Sequence, residues 1–118
     1  MTVKRISSTS LNKLLNGNTI EPATCLIKVY SNDCNYCHNL KDYFEDIAQE
    51  YQDFYFYAFN IHDDRSLENR LGFQGVPTIL KIDTTGDEAS VNVLEEPEDP
   101  NELTYYKTSH IKQFIEED

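Results

Sequence analysis

The sequence predicts an α/β fold: a mixed β-sheet with helices on both faces, in the order β-α-β-α-β-α-β-β-α. Three observations carry this expectation. Residues 24–30 form a nearly unbroken apolar run, as a central strand covered on both faces requires. Directly after it comes a long stretch whose apolar residues repeat at helical spacing. Later, Thr84-Thr85-Gly86-Asp87 separates two strand-like runs, which reads as a hairpin. The alternating half builds parallel strands through helical crossovers, and the hairpin adds an antiparallel edge.

Residues 3–6 suit a short first strand. Ser8-Thr9-Ser10 supplies a helix N-cap, and Leu11, Leu14 and Leu15 follow at helical spacing until Asn16-Gly17-Asn18 stops the helix. Glu21-Pro22 connects to the apolar strand. From Cys37 onward, Leu40, Phe44, Ile47, Ala48 and Tyr51 fall on one helical face, while Lys41, Asp42, Glu45, Asp46 and Glu50 fall largely elsewhere. The aromatic residues of 53–61 favour a strand. Asp63-Asp64 can cap a short helix that Gly72 ends. Strands are expected at 78–83 and 89–95. The acidic residues 95–102 contain two prolines and read as a loop, and Thr108 or Ser109 opens a last helix carrying Ile111, Phe114 and Ile115.

With 118 residues, the expectation is one domain spanning 1–118, large enough for a core without staples. A net charge of −11 repels nucleic-acid phosphates and anionic lipid, so neither nucleic acid nor membrane is an expected partner. No apolar run approaches the roughly 18 residues of a membrane span. Lys4, Arg5 and Lys13 with nearby Ser and Thr are faintly like a transit peptide, but the segment has a place in the fold. Three cysteines, one close pair plus the isolated Cys25, fit a reducing compartment, and a cytoplasmic location is expected.

The close pair is Cys34-Asn35-Tyr36-Cys37, between the apolar strand and the amphipathic helix. Two cysteines at this spacing sit on one turn at a helix start, where they can cycle between dithiol and disulfide. A C-x-x-C at a strand-to-helix junction is the sign of a thioredoxin-like redox site. Gly75-Val76-Pro77-Thr78 lies about 40 residues on, opening the strand before the hairpin. With the element order, these motifs resemble the thioredoxin superfamily over roughly residues 3–117. The resemblance implies the thioredoxin fold, a protein dithiol–disulfide oxidoreductase, and a cis Pro77 lying against the disulfide.

Within the superfamily, Asn35-Tyr36 is neither the Gly-Pro of thioredoxins nor the Gly-His of protein disulfide isomerases. Tyr36 is similar to the tyrosine of the glutaredoxin Pro-Tyr pair, and Cys37-His38-Asn39-Leu40 to the isomerase run Cys-Lys-Asn-Leu. The chain departs from the family in three places. Asp33 stands where members often carry Trp, Lys28 where thioredoxins carry a buried acid, and Asp42 where they carry a helix proline.

The chemistry expected of the pair follows from thiolate reactivity. A free thiol has a pKa near 8.5, and a helix N-terminus can pull it to about 7 or lower. Cys34 is therefore the expected nucleophile and Cys37 the resolving thiol. Asp33 opposes ionisation of Cys34, since a like charge raises a thiol pKa. Lys28 is a candidate catalytic residue that either stabilises a thiolate as a cation or accepts a proton if burial lowers its pKa; alternatively its ammonium snorkels to an edge and only its stem packs. Val76 and Pro77 are expected to form the substrate groove, with Tyr36 and Asp33 beside it.

The resemblance implies protein disulfide or dithiol substrates, a thioredoxin reductase or a glutathione-type electron donor, a monomer, and no cofactor beyond the Cys34–Cys37 disulfide. Other readings of the motif are weaker. C-x-x-C-H also suits c-type haem attachment, but the only methionine is Met1. Zinc needs four ligands, and Cys34, Cys37 and His38 crowd one turn while His62 and His110 lack paired spacing. Cys25 reads as a small buried hydrophobe. The remaining alternative of a different class is a thioredoxin-like binding module or accessory subunit with little redox turnover. The acidic 95–102 stretch is a solvated loop that can also bias recognition toward basic partners.

Overall fold

A computed structural model describes residues 2–19 and 21–117. Its elements are β1 (Val3–Arg5), α1 (Ser8–Leu15), β2 (Ala23–Tyr30), α2 (Asn35–Glu50), β3 (Tyr55–Asn60), a 3-10 turn (Ile61–Asp63), α3 (Leu67–Leu71), β4 (Thr78–Thr84), β5 (Ala89–Val93) and α4 (Thr108–Glu116). The sheet has five strands in the order β1-β3-β2-β4-β5, which puts β2 at the centre. This is the α/β thioredoxin-type architecture anticipated from the sequence.

The two faces of the sheet have separate cores, dictated by the period of two along β2. Cys25, Ile27 and Val29 point to one side, with Phe59, Leu80 and Ile82, under Leu11 of α1 and Leu67 of α3. Leu26 points to the other, with Phe56 and Ile79, under Leu40, Phe44 and Ile47 of α2 and Ile111, Phe114 and Ile115 of α4. Each fully buried aliphatic or aromatic side chain contributes about 1.5–3 kcal/mol of transfer free energy.

Strand direction differs from the expectation in one instructive way. β1, β3 and β2 are mutually parallel, but β4 already runs antiparallel to β2, one strand before the hairpin. The reason is the length of α3. Its five residues span only about 7.5 Å, too little to carry the chain back along the sheet. The chain therefore re-enters at the end it left, with Thr78 opposite Val29. That reversal brings the start of β4 to the end of β2 from which the cysteine motif departs.

Smaller differences concern element ends. Ser7, not the Ser8-Thr9-Ser10 run, caps α1: its Oγ accepts from Ser10 N–H at 3.1 Å. Gly17 ends that helix with φ 77°, and a Cβ there would lie 2.5 Å from the backbone of Glu88, so only glycine fits. Asp64 sits ahead of α3, not at its cap, its carboxylate accepting from Ser66 N–H and Oγ–H. The hairpin turn falls one residue later than expected, closed by Thr85 N–H donating to Glu88 O at 2.9 Å. β5 ends at Val93, and α4 starts at Thr108 without a side-chain cap.

Candidate active site

Ser31, Asn32 and Asp33 turn the chain from β2 into α2. The His38 ring donates to Asn32 O at 2.9 Å, tying the loop to the helix it precedes. Asn60, at the end of β3, donates to Asn32 Oδ1 at 3.5 Å. Cys34 is the N-cap of α2, and its Sγ accepts from Cys37 N–H at 3.0 Å. The cap therefore satisfies one of the amides a helix start leaves free, and it places sulfur at the positive end of the helix dipole. Cys34 and Cys37 are disulfide-bonded, with Cα atoms 5.2 Å apart. Cys34 is half-buried, whereas Cys37 is covered at 3% exposure. Asp33 and Tyr36 are exposed on either side of Cys34.

Lys28 lies on central β2, between Ala58 of β3 and Ile79 of β4 in register. It faces α2 and is 5% exposed. Its Nζ stands 5.8 Å from the ring centroids of both Tyr30 and Phe44, within cation–π range. Lys28 and Cys37 line one cleft of about 530 Å³, together with His38, Lys41 and Asp42. The cleft also includes Val3 and Arg5 of the edge strand β1. Burial, reinforced by the Lys41 charge and opposed by Asp42, pushes the Lys28 ammonium down to about 8. The structure thus brings the lysine and the covered cysteine to the same solvent pocket.

Across from β2, the segment leading into β4 is held from both ends. Gly75 N–H donates to the Glu68 carboxylate of α3 at 2.8 Å, and Thr78 Oγ1–H donates to Gly75 O at 2.9 Å. Val76 is half-buried, Pro77 is buried, and the peptide between them is cis. Continuing the Val29–Thr78 register places Pro77 beside Tyr30, the residue directly before the turn at Ser31–Asp33.

Sequence reasoning missed the other wall of the site. Tyr105 lies against Tyr36, ring centroids 5.5 Å apart, and edge-on to Tyr106 at 5.1 Å. Tyr106 is buried at 2% in the core under α2 and α4. Asn39 of α2 donates to Leu103 O at 2.9 Å, fixing this segment to the active-site helix. The pair Tyr105-Tyr106 ahead of the last helix was the available signal, but nothing local links it to a motif almost seventy residues earlier.

Cys25 stands apart, 2% exposed on the opposite face of the sheet. Burial, then the Asp83 charge, push its thiol up to about 11. His62 accepts from the Arg65 guanidinium at 2.7 Å, a surface contact. Among the described residues, no cluster of His, Cys, Asp and Glu is placed to hold a metal, and no helix is long and apolar enough to cross a membrane.

Comparison with known proteins agrees with this geometry. The thioredoxin family model matches residues 3–106. No curated protein sequence matches the chain. Among solved structures, chloroplastic thioredoxin z is 19% identical at a TM-score of 0.66, covering 98% of this chain and 92% of that one. Spinach chloroplast thioredoxin f is 16% identical at a TM-score of 0.68, covering 97% and 90%. The thioredoxin of Trichomonas vaginalis is 17% identical at 0.65, covering 97% and 94%. At such identities the structural likeness speaks for the fold; the family model, with the Cys34–Cys37 pair, supports a thiol–disulfide function in general terms. The chain, over nearly all of its length, belongs to the thioredoxin family.

Proposed function

We propose that this protein is a thiol–disulfide oxidoreductase that exchanges disulfides with protein substrates through Cys34 and Cys37. The observation that carries the reading is the Cys34 sulfur at the N-cap of α2, accepting from Cys37 N–H, with Cys37 covered one turn behind. In the reduced state a Cys34 thiolate faces the same amide and the same helix end, which favour the charged form.

The thiolate attacks one sulfur of a substrate disulfide. The substrate S–S bond breaks, the departing thiolate takes up a proton, and a mixed disulfide with Cys34 remains. Cys37 then gives up its proton and attacks Cys34 Sγ, releasing the second substrate thiolate. The substrate has gained two electrons and the protein has become the Cys34–Cys37 disulfide. Lys28 serves the second step. With its pKa pushed to about 8, the charged amine stabilises a Cys37 thiolate and the neutral amine accepts the Cys37 proton. The backbone at Val76, set by Pro77, pairs with an extended substrate peptide, and Asp33 and Tyr36 flank the entry.

In this reading the protein acts as a monomer in a reducing cytoplasm, and a thioredoxin reductase or a glutathione-type donor restores the dithiol. The disulfide itself is the redox group, and no added cofactor takes part. The direction of the reaction is read from the Cys34–Cys37 potential against glutathione. Values near the low end of the family range, about −270 to −120 mV, mean a reductase; values near the high end mean an oxidase or isomerase.

The decisive experiment is dithiothreitol-driven reduction of insulin. The intact protein is expected to accelerate it, and Cys34→Ser to abolish the acceleration. An intact protein no faster than dithiothreitol alone overturns the reading and favours a binding module of the same fold.

A further inference from the structure

The segment between β5 and α4 builds a surface that the disulfide chemistry alone does not require. Asn101 and Tyr105 exchange backbone hydrogen bonds at 2.9 Å in both directions. Within that turn, Asn101 Oδ1 accepts from Leu103 N–H at 2.8 Å and Thr104 N–H at 3.0 Å. Tyr105 has φ 67°, a left-handed conformation that opposes a bulky side chain by about 1–2 kcal/mol. A turn held by this many bonds can impose that conformation, and the result lays the Tyr105 ring on Tyr36.

The outcome is an apolar patch beside the disulfide. Tyr36 is 40% exposed and Leu103 49% exposed, with the half-buried Tyr105 ring in contact with Tyr36. Tyr43, 43% exposed, continues it along the same face of α2, two turns on from Tyr36. Such a patch at the mouth of a reactive site is a recognition surface unless something else covers it.

The segment that carries it is strongly one-signed. Glu96, Glu98, Asp99 and Glu102 are all exposed, and Lys107 is the one cation in residues 94–107. Asp33 adds a further exposed acid on the other side of Cys34. The Glu96 carboxylate lies close enough to act on the Tyr105 phenol, which is pushed up by burial first, then by Glu96 and Tyr36. A second copy of the chain, itself at −11, is repelled by this rim.

We propose that the Tyr36–Leu103–Tyr105 patch with its acidic rim docks the cysteine-flanking segment of protein substrates, and that this segment is basic with an apolar or aromatic residue near its cysteine. The proposal deepens the oxidoreductase reading and rests on it. The aromatic floor supplies contact area and the rim steers a cationic chain toward Cys34.

The test uses two synthetic peptides, identical except that lysines in one replace glutamates in the other around a single cysteine joined in a disulfide to mercaptoethanol. The expected result is reduction of the lysine peptide at least about tenfold faster at low salt, with the ratio collapsing in concentrated salt. Neutralising the rim in E96Q/E98Q/E102Q is expected to pull that ratio toward one. Measurable but equal rates for the two peptides, or a ratio unmoved by the triple substitution, overturn the proposal. Cysteine-free versions of the same peptides, titrated into the isotope-labelled protein, separate docking from chemistry. Charge-dependent shifts at the Leu103 and Tyr105 amides without any disulfide exchange leave the docking surface standing and sink the oxidoreductase reading. Absence of such shifts overturns the docking surface whatever the redox result.

Discussion

Lys28 and Lys81 interrupt the same face of the sheet from adjacent strands, and they are almost equally buried, at 5% and 7%. What their ammonium groups meet is different. Lys81 donates to the Glu117 carbonyl at the C-terminal end of α4, where a cation also complements the helix dipole. Lys28 finds no hydrogen-bond partner among the described residues; it stands over two aromatic rings and lines the cleft that Cys37 shares. Burial alone therefore does not mark a functional lysine. A cation with a fixed acceptor is held in place, whereas one that opens onto the cleft lined by Cys37 can exchange its proton with solvent.

The largest effect that tests this contrast is kinetic. Lys28→Met is expected to slow disulfide exchange by about a hundredfold, the low end of what proton-transfer assistance contributes. A variant exchanging at the parent rate, with an unchanged Cys37 thiol titration, would erase the distinction between the two lysines. Lys81→Met should behave in the opposite way. It loses about 1 kcal/mol of stability in urea denaturation, one hydrogen bond to an exposed helix end, and exchanges at the parent rate.

A third measurement uses pH. Lys28 is shifted from its ordinary 10.5 to about 8, so the folded protein holds fewer protons there than the unfolded chain between those values. The cost of the buried charge is then fully present below about pH 8 and is relieved as pH rises toward 10.5. Cys25, shifted the other way from 9.0 to about 11, lowers stability with rising pH over an overlapping window, so the comparison must be parent against variant. Lys28→Met is expected to be more stable than the parent at pH 7, with an advantage that narrows above pH 8. A constant difference across that range would mean the lysine is not titrating in place. The smallest expected effect is at the mouth of the site. Asp33→Asn should lower the Cys34 thiol pKa, followed by thiolate absorbance; a rise or no change would remove Asp33 from the electrostatics of the site.

Much of the fold was legible because burial imposes a period. The run through β2 and the helical face of Leu40, Phe44 and Ile47 are patterns that a core forces on any sequence. The redox pair was legible because its chemistry needs only local spacing. The direction of β4 was not, since it depended on the length of α3 relative to the sheet and not on any residue in β4 itself. Ser7 was overlooked as a cap because three hydroxyl residues follow it, and only the backbone geometry selects among them.

By itself, then, the sequence determined which segments are strands and helices, which faces they bury, and that two thiols meet at the start of a helix, because each of these follows from neighbours within a turn or two along the chain. Only the tertiary structure decided which buried lysine shares a cleft with Cys37 and which tyrosine lies on Tyr36. Those contacts join residues far apart in the chain, and they arise from strand order and from one left-handed turn, neither of which leaves a local signature.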